Sequence, residues 1–382
     1  MTYIIDFIKE HEDWETLLTK APYFIKIKRD KELPHLVSLS YSQIESDFSL
    51  PLVRECRGII IDVEDTKEPR VVCHAMDKFF NYGESNAAEI DWSSAKVYEK
   101  IDGSLLKLWY YNKAKRWILS SNSCIQAKDA KLESGHDLEE LFLYAIKEYM
   151  CDTIDTFARA FHLFHNFTYC FELISPYNQV VIQYPKAEIY LLAGRDLQSE
   201  KEYTVDELID THFNLFKLHR PACFNLSSLE ECVKFLSTFN SGKNVEHEGF
   251  VITDKYYNRI KIKTEEYVAM HHAANGLSEE EIIRIIRANE ISEVLAYFPK
   301  YEYKIKEMLR DYGSYLKKLF VKTITARKTW ERLNKDRKAF ALVYKNKNFP
   351  EVFKLLDMDW DWRKYLDSLT EKQLLKNIKR AN

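Results

Sequence analysis

Glycine and proline are scarce in this chain of 382 residues, with nine of each. That scarcity excludes collagen-like repeats and argues against extended disorder. No apolar run approaches the ~18 residues of a membrane-spanning helix, so no membrane partner is expected. The opening MTYIIDFIKEHEDWE turns acidic almost at once. It lacks the basic start, long apolar stretch and small-residue cleavage site of a secretory signal. Seven cysteines are scattered singly, with no C-x-x-C pair and an odd total. Reduced thiols in a cytoplasmic compartment fit this better than a disulfide framework or a zinc site.

What is present suits a folded protein: 46% hydrophobic and 30% charged residues. The length allows two or three domains, one large enough to bury its own core. The net charge of −3 hides an asymmetry. Residues 301–382 hold 21 Lys and Arg against 11 Asp and Glu, a net of +10, which leaves −13 on residues 1–300. A basic C-terminal third on an acidic body suggests a polyanionic partner for that third; a solvated basic helical surface is the other reading of the charge alone.

Residues up to about 270 read as mixed α and β. Short strands are expected at Gly58–Val63, Lys96–Lys100, Tyr169–Ile174 and Ile189–Ala193. Ser104–Tyr111 with Arg116–Ser121, and Gly249–Thr253 with Arg259–Lys263, read as hairpins. Asp137–Met150 carries Leu138, Leu141, Phe142, Ala145, Ile146 and Tyr149 at helical spacing. Thr204-Val205-Asp206-Glu207 and Ser228-Leu229-Glu230-Glu231 read as capping boxes. After about residue 273 the strand signals stop, and Lys/Leu/Tyr-rich helical patterns run on, with breaks expected near Pro299, Gly313 and Asn348–Pro350. The boundary falls at about 270–276, giving domains 1–272 and 273–382. The fold class is α+β, with antiparallel sheets and flanking helices followed by an all-α C-terminal domain.

Lys100-Ile101-Asp102-Gly103 closes one of these strands. A lysine attacks phosphorus only as the neutral amine, and its free pKa is near ~10.4, so a site using it must lower that value by burial or nearby cations. Asp102 offers an acid close by, and Gly103 lets backbone approach a ligand. In isolation the motif reads first as a surface turn. Arg259-Ile260-Lys261-Ile262-Lys263 alternates strictly, so Ile260 and Ile262 face a core while Lys261 and Lys263 share the other face. Two adjacent lysines suggest a phosphate between them, or an edge strand protected from aggregation. Glu248, at the start of the paired strand, suits a magnesium holder or a plain salt bridge.

The order of these segments resembles the covalent nucleotidyltransferases, and within them the RNA ligase 1 family of bacteriophage T4. The resemblance rests on Glu55-Cys56-Arg57-Gly58-Ile59, Met76–Asn81, Lys100–Ser104, Phe171-Glu172-Leu173 with Pro176 and Asn178, Glu248-Gly249, and Lys261-Ile262-Lys263 followed by Tyr267-Val268. Lys335–Ala341 resembles a segment of the family's C-terminal domain. The resemblance implies an ATP-dependent RNA ligase, acting on RNA with 5′-phosphate and 3′-hydroxyl ends, with Mg2+ (or Mn2+), as a monomer, in RNA repair that could extend to broken tRNA. It implies that Lys100 takes AMP, that Arg57 and Lys78 hold the ATP phosphates, and that Glu172 binds the ribose. It further implies that Asp102 and Glu248 organise the metal, that Lys261 and Lys263 grip the α-phosphate, and that Tyr41 and Gly103 contact ATP.

Two departures stand out. The family often places lysines on the strand after the nucleophile's hairpin, where this chain has Ser120 and Asn122. Acidic metal candidates expected just after residue 285 reduce to Glu290 and Glu293. The rival readings are a DNA ligase or capping-type nucleotidyltransferase, which would append an oligonucleotide-binding barrel rather than helices, and a non-enzymatic RNA-binding protein, which would tolerate loss of Lys100.

Overall fold

The computed structural model describes residues 2–42, 45–239, 246–264, 266–268, 277–288, 290–291, 294–295, 301–345, 347 and 349–381. The expected boundary at 270–276, Pro299, Asn348 and Glu293 lie outside the described residues. The chain forms two compact units, Met1–His271 and His272–Asn382.

The first unit is built on three sheets. One has the order β1-β2-β3-β4, from Ile25–Arg29, Leu36–Tyr41, Arg57–Asp62 and Arg70–Cys73. The second has the order β11-β10-β9-β7-β8, from Glu202–Thr204, Glu188–Asp196, Phe167–Ile174, Ser104–Tyr111 and Arg116–Ser121. The third has the order β12-β6-β13-β14-β5, from Cys223–Phe224, Lys96–Lys100, Gly249–Thr253, Arg259–Lys263 and Phe80–Asn81. Pairing is antiparallel except between β14 and β5. Because β5 pairs with Ile260 and Lys261, β14 is an inner strand, and its lysines do not guard an edge. Helices α1 (Tyr3–Glu10), α2 (Trp14–Leu18), α3 (Pro51–Glu55), α4 (Leu138–Ile146), α5 (Ile154–Ala160), α6 (Val205–Thr211) and α7 (Leu229–Leu236) flank the sheets.

Alternation explains which face each strand buries. In the β7–β8 hairpin, Leu106, Leu108 and Leu119 pack with Phe171 and Leu173 of β9 beneath α4, which contributes Leu141, Phe142 and Ala145. Each such buried side chain stabilises the fold by about 1.5–3 kcal/mol relative to exposure. Asp137 caps α4 by accepting from the Glu140 backbone N–H at 2.9 Å. The helix is shorter than its apolar pattern predicts. It tightens to a 3-10 turn at Lys147–Tyr149, and Met150 turns left-handed at φ +57°. The other face of β7 carries Leu105, Lys107, Trp109 and Tyr111 inward toward the first sheet.

The second unit is helical throughout its described residues. Its helices are α8 (Glu279–Ala288), α9 (Glu302–Arg332), α10 (Arg337–Tyr344), α11 (Val352–Asp357), α12 (Trp362–Asp367) and α13 (Glu371–Ala381). Ile282, Ile286, Ile305, Leu319, Phe340 and Leu374 meet in its core. The break expected at Gly313 is absent, since α9 runs through it. A helical glycine costs only about 1 kcal/mol relative to alanine. Tyr312, Tyr315 and Leu319, buried on one stripe around it, more than offset that. No helix among the described residues is long and apolar enough to cross a membrane.

Candidate active site

Lys100 ends β6 at the mouth of a cavity of about 360 Å³. The third sheet supplies one wall. Across β6, β13 and β14 the rungs run Tyr98–Val251–Lys261 and Lys96–Thr253–Arg259. Tyr98, Val251, Lys261, Thr253 and Arg259 all line the cavity. The rung at the open end is Lys100–Gly249–Lys263. Glu248, immediately before it, holds both lysines: its Oε2 accepts from Lys100 Nζ at 2.7 Å, and its Oε1 lies 3.5 Å from Lys263 Nζ. Glu248 is 3% exposed and Lys100 22%, so the pair spans from the protein's interior to the cavity surface.

The opposite wall comes from the other two sheets. Glu172, on β9, pairs in register with Leu105 of β7, and both line the cavity. The Glu172 carboxylate has no hydrogen-bond partner among the described residues. Burial pushes its carboxyl up to about 7, against the opposing pull of Lys100 and Arg57. A carboxylate placed so is short of donors, and ribose hydroxyls or a cation would supply them. Arg57 begins β3 and lies over the Phe79 ring at 5.1 Å; its Nη1 is buried without a partner among the described residues. Lys78 has no acidic partner among the described residues and instead faces three rings, Tyr41, Phe48 and Phe80, at 5.5 to 5.6 Å. Aromatic faces hold a cation in place without neutralising it, which leaves Lys78 available to an anion. Gly103 lies in the turn after Lys100, and a side chain there would strike the Leu173 carbonyl.

The cavity therefore gathers Tyr41, Arg57, Lys78, Lys100, Gly103, Glu172 and Lys261. Glu248 and Lys263 stand beside it through Lys100. Asp102 is placed differently from the expectation. Its Oδ2 accepts from the backbone N–H groups of Val181 and Ile182 at 2.9 and 2.8 Å, and its Oδ1 from the Tyr267 hydroxyl at 2.9 Å. This buried carboxylate ties the turn after β6 to the 181–182 segment and is not among the cavity's lining residues. Ser120 is also turned away: it accepts from Trp109 Nε1 at 2.8 Å and donates to the Ile125 carbonyl inside the core. Asn122 does line the cavity, with Oδ1 buried and without a partner among the described residues. Glu290 belongs to the second unit.

Arg259 and Phe79 are among the cavity residues that the sequence reading did not assign to a site. Arg259 is held by Thr253 Oγ1 at 3.1 Å and by Glu202. The alternation that places Lys261 and Lys263 on one face places Arg259 there too, so the signal was available. Phe79, between Arg57 and Arg259 at 5.1 and 5.6 Å, had no such signal.

A family model described as RNA ligase matches residues 55–267, more than half of the chain and all within the first unit. The chain is 29% identical to the "Putative bifunctional polynucleotide kinase/RNA ligase" of Autographa californica nuclear polyhedrosis virus, over 74% of this chain but only 40% of that protein. It is 25% identical to an RNA ligase of Rhodothermus phage RM378, over 69% of this chain and 71% of that one. Among solved structures, an archaeal ATP-dependent RNA ligase aligns over 80% of this chain and 77% of its own, at 14% identity and a TM-score of 0.45. At that level the likeness says nothing about chemistry.

Proposed function

Because the chain belongs to the RNA ligase family of the phage T4 RNA ligase 1 type, we propose that it is an ATP-dependent ligase joining RNA 5′-phosphate and 3′-hydroxyl ends, with Lys100 as its nucleophile. One observation carries this reading. Four strands and a loop bring a lysine held by a buried carboxylate, four further cations and a glutamate whose side chain has no hydrogen-bond partner among the described residues to one cavity of about 360 Å³.

Lys100 Nζ attacks the α-phosphorus of ATP, the bond to the bridging oxygen of pyrophosphate breaks, and a lysyl-AMP forms. The attacking nitrogen must shed its proton, and Glu248 Oε2 at 2.7 Å is the acceptor in place. Lys261 and Lys263 receive the α-phosphate. Arg57 and Lys78, both without acidic partners among the described residues, offset charge on the leaving pyrophosphate. Glu172 accepts from the ribose hydroxyls, with Tyr41 and Gly103 completing the nucleoside side. The AMP then passes to an RNA 5′-phosphate, and a 3′-hydroxyl attacks that phosphorus and releases AMP. In-line placement and charge neutralisation do the work at each step.

A divalent cation, Mg2+ or Mn2+, would be held at Glu248, whose two carboxylate oxygens reach Lys100 and Lys263 at the cavity's edge. Asp102, with both oxygens engaged, is not assigned to it. Such an ion would supply positive charge at the crowded phosphates. The second unit, with its +10 charge from residue 301 on, is assigned to RNA through phosphates and shape. Action as a monomer in RNA repair is part of the same proposal, and a reducing cytoplasm accords with seven unpaired cysteines.

The test is ligation. With ATP and Mg2+, the protein should join a 5′-phosphorylated RNA strand and leave the matching DNA strand unjoined. Sealing of DNA in preference to RNA, or RNA sealing that survives Lys100→Ala, would refute this reading.

A further inference from the structure

Lys107 of β7 is wholly buried, yet its amine meets no acid among the described residues; it donates to the Gly58 carbonyl. A buried ammonium without a counter-ion is costly, and burial pulls this one down from the usual lysine range, with Arg57 adding to the effect. A methionine or leucine would fill the same space more cheaply, so the charge calls for a use.

Its position suggests one. Lys107 stands on the rung Ser120–Lys107–Cys170 across β8, β7 and β9, on the same strand face as Leu105 and Glu172, which line the cavity one step above. Gly58, at φ +74°, passes directly over it. A methyl group on Gly58 would lie 2.7 Å from Lys107 Nζ and 2.8 Å from the Cα of Asn122. Lys107 thus underlies the crossing of β3 with the end of β8. At that crossing lie Arg57 Nη1 and Asn122 Oδ1, two buried polar atoms without partners among the described residues. Glu172, one step above on the same strand face, feels Arg57, but no acid is bonded to Arg57 or Lys107 among the described residues, so Arg57 keeps a donor to spend on an anion in the cavity.

We propose that Lys107 is the positioning residue of the ATP phosphate site: from beneath β3 it fixes the Gly58 carbonyl and adds its charge to that of Arg57, so that Arg57 meets the phosphates with its Nη1 unspent. The lysine not found at Ser120 on β8 stands directly across the ladder, on β7. This rests on the ligase reading above and adds a residue to it.

The exchange variant Lys107→Ser with Ser120→Lys moves the amine across the rung, and Lys107→Met removes its charge at similar size. Lysyl-AMP formation is followed against ATP concentration, with thermal melting alongside. Lys107→Met should raise the ATP concentration for half-maximal labelling about 10-fold or more while still melting cooperatively, and the exchange variant should recover most of that loss. A folded Lys107→Met with unchanged ATP dependence overturns the assignment. So does an exchange variant that folds but recovers nothing. Failure of both variants to fold assigns Lys107 to the fold alone and also overturns it. Absence of any adduct with the unaltered protein refutes the ligase reading itself, whereas an adduct unaffected by Lys107→Met refutes only the role of Lys107.

Discussion

Lys100 Nζ and Glu248 Oε2 are 2.7 Å apart, and the second oxygen of the same carboxylate lies 3.5 Å from Lys263 Nζ. One buried acid therefore holds two lysines from strands on either side of its own. Removing its charge leaves two ammonium groups facing each other and takes away the acceptor for the attacking amine's proton. Glu248→Gln, which keeps the shape, should slow lysyl-AMP formation by roughly 10²–10⁴-fold, measured in a single turnover with labelled ATP. Glu248→Ala should also lower stability by about 3–5 kcal/mol, as expected when one partner of a buried ion pair is removed. A Gln variant with the unaltered rate would show that Glu248 only braces the strand.

Glu172 ties stability to function with opposite signs. Its carboxyl is pushed up to about 7 by burial, from an ordinary value of 4.5. The folded state therefore holds this proton more tightly than the unfolded chain. The stabilising effect is complete below about pH 4.5 and is lost as pH rises through about 7. Glu172→Gln should leave stability nearly unchanged at pH 5 and raise it by about 1–3 kcal/mol at pH 8, read by denaturant melts at both pH values. The same variant should bind ATP more weakly, because an amide cannot accept from two ribose hydroxyls as a carboxylate does. Equal melts of variant and parent at pH 8 would contradict the burial argument.

Helix α9, in the unit proposed to bind RNA, has an unusual surface. Between Lys317 and Lys328 it carries five cations and no acid, with Phe320, Val321 and Ile324 exposed by 40 to 61%. Lys317, Val321, Ile324 and Lys328 follow one another along one side at helical spacing. Lys317→Glu with Lys328→Glu should weaken RNA binding and flatten its dependence on salt, by about 1 in the log–log slope for each phosphate no longer neutralised. Lysyl-AMP formation should be untouched. Unchanged RNA affinity and salt slope would place RNA on another surface.

Much of the active-site wall was legible because a strand's period of two ties chemistry to packing. Ile260 and Ile262 must enter the core, so Arg259, Lys261 and Lys263 must face away together. The hairpin that follows Lys100 was equally plain, from its apolar runs and polar turn. Orientation at longer range was not legible. Asp102 beside a nucleophile reads as a metal ligand, but its acceptors are filled by backbone donors 79 and 80 residues along the chain, and no local pattern announces that. Lys107 passes as an ordinary strand lysine until β3 is laid over it. Gly313 reads as a break because its cost is local, whereas the tertiary packing of Tyr312, Tyr315 and Leu319 that overrides it is not.

The most direct measurement is the covalent state of Lys100. The unaltered protein and Lys100→Ala are each incubated with Mg2+ and α-labelled ATP, and any adduct is mapped to a peptide. One AMP attached at Lys100, absent from Lys100→Ala and not formed from GTP, is the predicted result. No adduct, or an adduct that persists in Lys100→Ala, would contradict the account.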